Sequence, residues 1–218
     1  MNIHTIFAVF FLLLVMLNIT VIFFLPDDLT FLFIKEWGPV ENAQVILYVT
    51  GALVSWIYAK RNIWAGGYQG CIILLIFAMR ELDFQKKFTG ISITRTKYYF
   101  HSDAALLTKI MFACIVVCIV VFIIVFVRKN FSVLLHNVRA RKNWALSVLA
   151  GLLSMLFAFF VDGSTRILET LGIESVKHEH LLKNSMEELF ELAIPFFFLN
   201  ALLLYGKSDK GNYTDKVK

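Results

Sequence analysis

At 218 residues, 59% of them apolar and only 17% charged, the chain is far from the composition of a soluble domain, where these shares are roughly 45–50% and about 25%. A formal net charge of +5 would elsewhere suggest nucleic acid as a partner, but the basic residues here sort by loop, so the balance reads as membrane topology and not as nucleic-acid recognition. The three cysteines, Cys71, Cys114 and Cys118, fall in apolar runs where a thiol acts as a small hydrophobe, and they supply neither a disulfide framework nor a zinc spacing.

Runs such as 110–127 are apolar on every face, which suits helices and excludes the period-two alternation of a transmembrane barrel. Six runs approach the ~20 residues that a helix needs to cross the hydrocarbon. The first, about 5–25, stops at Pro26-Asp27-Asp28; without a basic leader or a small-x-small cleavage site it reads as a retained helix. The others are predicted at about 40–59, 63–82, 104–127, 143–161 and 185–205. The expected fold is all-α, a polytopic transmembrane helical bundle of about six helices forming one domain over 1–218.

Lys and Arg orient these spans. One set of connections carries Lys60, Arg61, Arg128, Lys129, Arg139, Arg141, Lys142 and the tail lysines Lys207, Lys210, Lys216 and Lys218, against only Asp209 and Asp215. The other set holds every remaining acid. By the positive-inside rule the first set is cytoplasmic, and both termini with it. The stretch 128–142, with Phe131, Leu134, Leu135 and Val138 between its charges, fits either a plain loop or an amphipathic segment on anionic headgroups. The longest outer connections, 85–102 and 163–184, are each long enough for a short cap.

Ionisable groups at the edge of a membrane bundle cost roughly 2.5 to 3.5 kcal/mol each at mid-helix, so they are the first place to look for function. The outer ends supply Glu36 and Glu41, then Arg80, Glu81 and Asp83, then His101, Asp103 and Lys109, then Asp162 and Arg166, and finally Glu187, Glu188 and Glu191. If the bundle closes, these would meet in one charged cluster. A structural account competes, because the second, fourth and sixth spans start outside and their N-termini favour acids. Pro39 suits a first helical position with Glu41 in the first turn, and Ser185 with Glu188 has capping-box spacing. Capping is therefore the simpler account of Glu41, Asp103, Glu187 and Glu188.

The third and fifth spans end outside, where the dipole favours cations. Arg80 fits that rule; Glu81, Asp83 and Asp162 do not, although Asp83 with Lys87 and Asp162 with Arg166 have i, i+4 spacing. Asp83, Asp162 and Glu191, the last one turn inside the sixth span, are accordingly the candidate catalytic acids. Glu41, Gln44, Tyr48, Arg80, Glu81, Arg166, Glu187 and Glu188 are the candidate ligand-binding residues. On the second span Glu41, Gln44, Tyr48, Gly51 and Ser55 form one polar or small stripe, in which Gln44 and Tyr48 would line a shallow cavity; on the fifth, Ser147, Gly151, Ser154, Ala158 and Asp162 repeat the pattern and read as close helix packing. Pro195, one turn below Glu191, frees a backbone carbonyl. His178-Glu179-His180 is the one metal-like cluster: in an extended loop both imidazoles point one way and would admit a divalent metal, although histidines in a hydrophilic loop are more often simply solvated.

The strings Glu36-Trp37-Gly38-Pro39-Val40-Glu41, Arg80-Glu81-Leu82-Asp83-Phe84 running on through Lys87-Phe88-Thr89, and Glu187-Glu188-Leu189-Phe190-Glu191 resemble a group of small bacterial inner-membrane proteins with acidic and aromatic motifs at outer helix ends. The resemblance covers most of the chain and implies a bacterial inner membrane with the outer side in the periplasm; it implies no particular activity. The chain is unlike the membrane hydrolases of the ceramidase and receptor-like superfamily, whose paired histidines on the final helix are replaced here by acids.

Three functions fit these residues. A membrane enzyme at headgroup level would use Asp83, Asp162 and Glu191 as acid, base or metal ligands and Arg80 to hold an anionic group. A cation or solute transporter would use the acids as a vestibule, with Gln44, Tyr48 and Lys109 continuing the path; it lacks a deep ionisable relay. A non-catalytic assembly or sensory partner would dock another membrane protein on its charged rim. Membrane lipids are partners in all three, and a polar ligand-binding outer site is the expectation that fits best. Reporter fusions should place Lys60 and Arg139 in the cytoplasm and Glu188 outside; the reverse pattern overturns the orientation.

Overall fold

The computed structural model describes the backbone of residues 38–84, 90, 93, 96–101, 104–170 and 177–215, with isolated positions in the first apolar run; side chains at 96, 97, 101, 164–170, 177–182 and 208–215 are outside that description. Six helices cover it: α1 Pro39–Lys60, α2 Gly67–Glu81, α3 Thr96–His101, α4 Leu106–Arg139, α5 Asn143–Thr170 and α6 Lys177–Asp215. No strand occurs among the described residues.

Four of these helices are long and apolar enough to cross a membrane: α1, α4, α5 over Asn143–Gly163 and α6 over Lys183–Lys207. They correspond to four of the six predicted spans. The span predicted at 63–82 becomes α2, whose 15 residues reach only about 22 Å at 1.5 Å per residue. The first predicted span lies largely outside the described residues, although Val9, Leu12, Met16 and Thr20 are helical.

Three helices outrun their sequence boundaries. α4 continues through the basic stretch to Arg139, so that stretch is helix and not a plain loop. α5 runs two turns past Asp162 to Thr170, and α6 starts at Lys177, eight residues before Ser185. The outer connection expected at 163–184 is therefore mostly helix.

Non-glycine residues in the left-handed region follow the ends of α1, α2 and α4: Asn62 at φ 53°, Asp83 at φ 45° and Arg141 at φ 53°. After α1, the Asn62 amide donates to the Ala59 carbonyl at 3.1 Å and Ile63 to Tyr58 at 2.9 Å. After α4, Arg141 donates to Val138 and Lys142 to Asn137, both at 2.9 Å. These are Schellman closures, which satisfy the last carbonyls of a helix where it stops. Asp83 donates to Arg80 at 3.0 Å in the same way.

The chain packs as two compact units, one of residues Met1–Leu47 with Asn143–Lys218 and one of Tyr48–Lys142. In the second, α1 and α2 approach at backbone distance. The Ser55 hydroxyl donates to the Gly67 carbonyl at 2.7 Å, both residues buried. A Cβ on Gly67 would meet the Ser55 carbonyl oxygen at 2.7 Å, and one on Gly70 would meet Trp64 at 2.6 Å and the Ser55 Oγ at 2.8 Å. Small residues allow this contact, as in membrane helix pairs generally. Tyr48 packs on Phe77 with centroids 5.7 Å apart, and Trp64 meets Phe126 edge-on at 6.3 Å. The connection 85–102 contains α3, whose Tyr98 is buried against Tyr99 and Phe112.

In the first unit α5 and α6 form the main pair. Of the predicted small stripe of α5, Ser147, Gly151, Ser154 and Ala158 are buried and form its contact face together with Ala145, while Asp162 is exposed. Opposite lie Ser185, Leu189, Ala193, Ile194, Phe197 and Ala201 of α6, also buried. Ser147 Oγ donates to the Phe197 carbonyl at 2.8 Å and accepts from Asn200 Nδ2 at 3.2 Å. Phe157 stacks on Phe190 at 5.6 Å, and Trp144 meets Tyr205 edge-on at 5.3 Å. Pro195 is fully buried inside α6, which continues through it. Outward faces are apolar as well, with Phe159 and Phe160 exposed, as suits a hydrocarbon surrounding.

Gly67→Ala should cost about 1–3 kcal/mol, because the new methyl meets backbone that cannot rotate away. Gly70→Ala should cost less, since its clashes are with side chains. Thermal melts of the detergent-solubilised protein check the order, and an unaffected Gly67→Ala variant contradicts the backbone contact.

Candidate functional site

The charged residues singled out in the sequence fall on both units. On the second, Arg80 and Glu81 end α2 with Nε and Oε1 3.9 Å apart, a loose neighbour pair. Asp83 has a structural task the dipole argument did not consider. It occupies the left-handed closing position of α2, where Asp, like Asn, is tolerated better than most residues. Lys109 lies in the first turn of α4 and is half-buried. On α3, partial burial raises the Tyr99 phenol above its ordinary value, and the adjacent Tyr98 adds to the shift.

On the first unit the assignments change places. Asp162 is not at a helix end, since α5 extends eight residues beyond it, so the dipole no longer opposes it. Its carboxylate takes Lys183 Nζ of α6 at 3.6 Å, a partner the local i, i+4 spacing did not offer. With Asp162 55% exposed, that pair is worth at most about 1 kcal/mol. The side chain of Arg166 lies outside the described residues.

Glu187 and Glu188 move the other way. Ser185 is buried in the interior of α6 and does not cap its start, so the predicted capping box is absent. Both acids sit more than two turns inside the helix, beyond the first turn where its dipole favours acids. Glu41, two residues after Pro39 in the first turn of α1, keeps the capping account, and Asp103 lies outside the described residues. Glu187, Glu188 and Glu191 are all half-buried on α6, and Glu187 and Glu191 are four apart, a spacing at which like charges repel.

One of these acids is joined to another helix. Gln44 of α1 is 1% exposed, and its Nε2 donates to the Glu188 backbone carbonyl at 3.2 Å and to Glu188 Oε2 at 3.3 Å. The reverse orientation of the amide would set its oxygen against two acceptors. Gln44 Oε1 is, among the described residues, a buried side-chain acceptor with no hydrogen-bond partner. Each residue stands five positions into its candidate span, Pro39–Lys60 or Lys183–Lys207, about 7–8 Å along the helix axis from its start. Tyr48, one turn further along α1, is 3% exposed. The polar stripe of α1 is thus packed against protein and does not line an open cavity.

His178 and His180 lie on helical backbone in the first turn of α6, where positions two apart are separated by about 200° around the axis. The extended loop on which the metal reading depended is not there. Among the described residues, no group of three His, Cys, Asp or Glu is arranged to hold a metal ion. Comparison of the chain with protein-family models, curated proteins and solved structures gives no significant match, so the functional argument stands on the residues themselves.

Asp83→Asn should leave stability within about 0.5 kcal/mol, because Asn also accepts the left-handed backbone, whereas Asp83→Val should cost about 1–2 kcal/mol. Equal loss in both variants, read from thermal midpoints, would show that the carboxylate and not the backbone conformation is what matters there.

Proposed function

We propose that this is a bacterial inner-membrane protein whose charged helix ends on the non-cytoplasmic side bind a lipid headgroup or another small polar ligand. The observation that carries the reading is the Gln44–Glu188 pair. A fully buried amide is spent on a carboxylate that no helix terminus explains, and its own carbonyl is left without a donor. A buried unpaired acceptor costs about 1–3 kcal/mol, which a fold has no reason to bear for packing alone. A donor-bearing ligand group at this end of the bundle would satisfy the acceptor.

Glu191, one turn below Glu188, is the acid best placed to act on such a ligand, with Glu41 one turn before Gln44 on α1. Asp83 and Asp162 carry less of the argument, since a helix closure and an ion pair account for them. Whether the site turns its ligand over or only holds it rests on Glu191.

Gln44→Met and Glu188→Gln should each change the small molecules and lipids that copurify with the folded protein, by several-fold for the true ligand. Asp162→Asn should not. Mass spectrometry of the purified variants reads this directly, and identical profiles in wild type and both site variants would set the proposal aside.

A further inference from the structure

We propose that the last three turns of α4, from Arg128 to Arg139, lie along one surface of the bilayer and bind the anionic headgroups of that leaflet. α4 is longer than one crossing needs. α4 has 34 residues and spans about 51 Å, against the ~30 Å of a hydrocarbon core. Its uncharged apolar part, from Ile110 to Val127, fills most of that thickness by itself and brings Arg128 and Lys129 to one hydrocarbon edge.

The chain returns to the membrane immediately after α4. α5 is apolar from its start at Asn143, and only a Schellman turn separates it from α4. Trp144, ring against Tyr205, stands where aromatic residues mark a membrane interface. Residue 143 is therefore also at a hydrocarbon edge, and at the same one, since 128–142 is too short and too charged to cross again. A segment that begins and ends at one surface runs along it. If it projected straight outward, its twelve helical residues would lift the start of α5 about 18 Å out of the hydrocarbon. If it sank inward, Arg128 and Lys129 would enter the core.

The segment also separates its residues by face. Phe131, Leu134, Leu135 and Val138 fall within an arc of about 100°, and Arg128, Lys129, His136 and Arg139 share another arc of similar width. No residue of α4 is buried, and Phe131 and Leu135 are exposed. Val133 departs from the pattern. The sequence holds no acid between Asp103 and Asp162, so Arg128, Lys129, Arg139, Arg141 and Lys142 form a basic stretch with no acid in the same segment. Anionic lipid is the partner with the complementary charge and an apolar layer beneath it. This course requires α4 to change direction near Asn130, whose Nδ2 donates to the Phe126 carbonyl at 2.8 Å.

The test uses full-length protein with Cys71, Cys114 and Cys118 replaced by serine and single spin-labelled cysteines in place of Phe131, Leu135, His136 or Arg139. It is reconstituted in phosphatidylcholine nanodiscs with and without phosphatidylglycerol. Labels at 131 and 135 should be reached by oxygen and protected from an aqueous paramagnetic reagent, and labels at 136 and 139 the reverse. Equal aqueous exposure at all four sites overturns the proposal. Spin-labelled phosphatidylglycerol should contact the wild-type protein several-fold more than phosphatidylcholine does. That preference should fall toward parity when Arg128, Lys129, Arg139, Arg141 and Lys142 are all replaced by Gln. An undiminished preference, or protection that appears only when a soluble protein fraction is added, also overturns it.

Discussion

A polar group removed from water must find a partner inside the protein, and each feature of this fold that bears on function follows from how that demand is met. Helices answer it for the backbone. Ser55 and Ser147 answer it for themselves by donating to carbonyls of neighbouring helices, at Gly67 and Phe197. Those bonds require close approach, so they occur beside Gly67, Gly70 and Gly151, where a larger residue would hold the helices apart.

The same demand governs where helices stop. The last carbonyls of α1 and α4 are closed by left-handed residues, Asn62 and Arg141, and Asp83 takes the corresponding place after α2. An acid that looks misplaced beside a negative helix end is thus explained by its backbone. The reverse holds for Glu188. Its spacing from Ser185 imitates a cap, but the helix begins two turns earlier, and the carboxylate is engaged by a buried amide from another helix. Charge near a helix end is therefore informative only once the end itself is located.

Function, on this view, sits where the demand is met imperfectly or met from outside the chain. Gln44 Oε1 is a buried acceptor left over inside the first unit. The basic end of α4 is a set of cations in a segment of the sequence, 104–161, that holds no acid. The first directs attention to a small ligand with hydrogen-bond donors. The second directs it to the membrane itself. Each rests on its own residues, and neither depends on the other.

The all-helical class, the four long apolar helices and the contact face of α5 were legible in the sequence, because they depend on composition and on a spacing of three and four that any helix imposes. The stripe Ser147, Gly151, Ser154, Ala158 could be read as packing without knowing its partner, since only small residues repeat there. What tertiary structure alone decided was where α4, α5 and α6 end and which polar groups meet. Helix ends depend on whether contacts with the rest of the fold outweigh fraying, and nothing local in 163–184 records that α5 runs to Thr170 or that α6 begins at Lys177. The Gln44–Glu188 pair joins residues 144 positions apart, and the Lys183–Asp162 pair joins α6 to α5. Such partnerships are fixed by distance in space, which the order of residues along a chain does not contain.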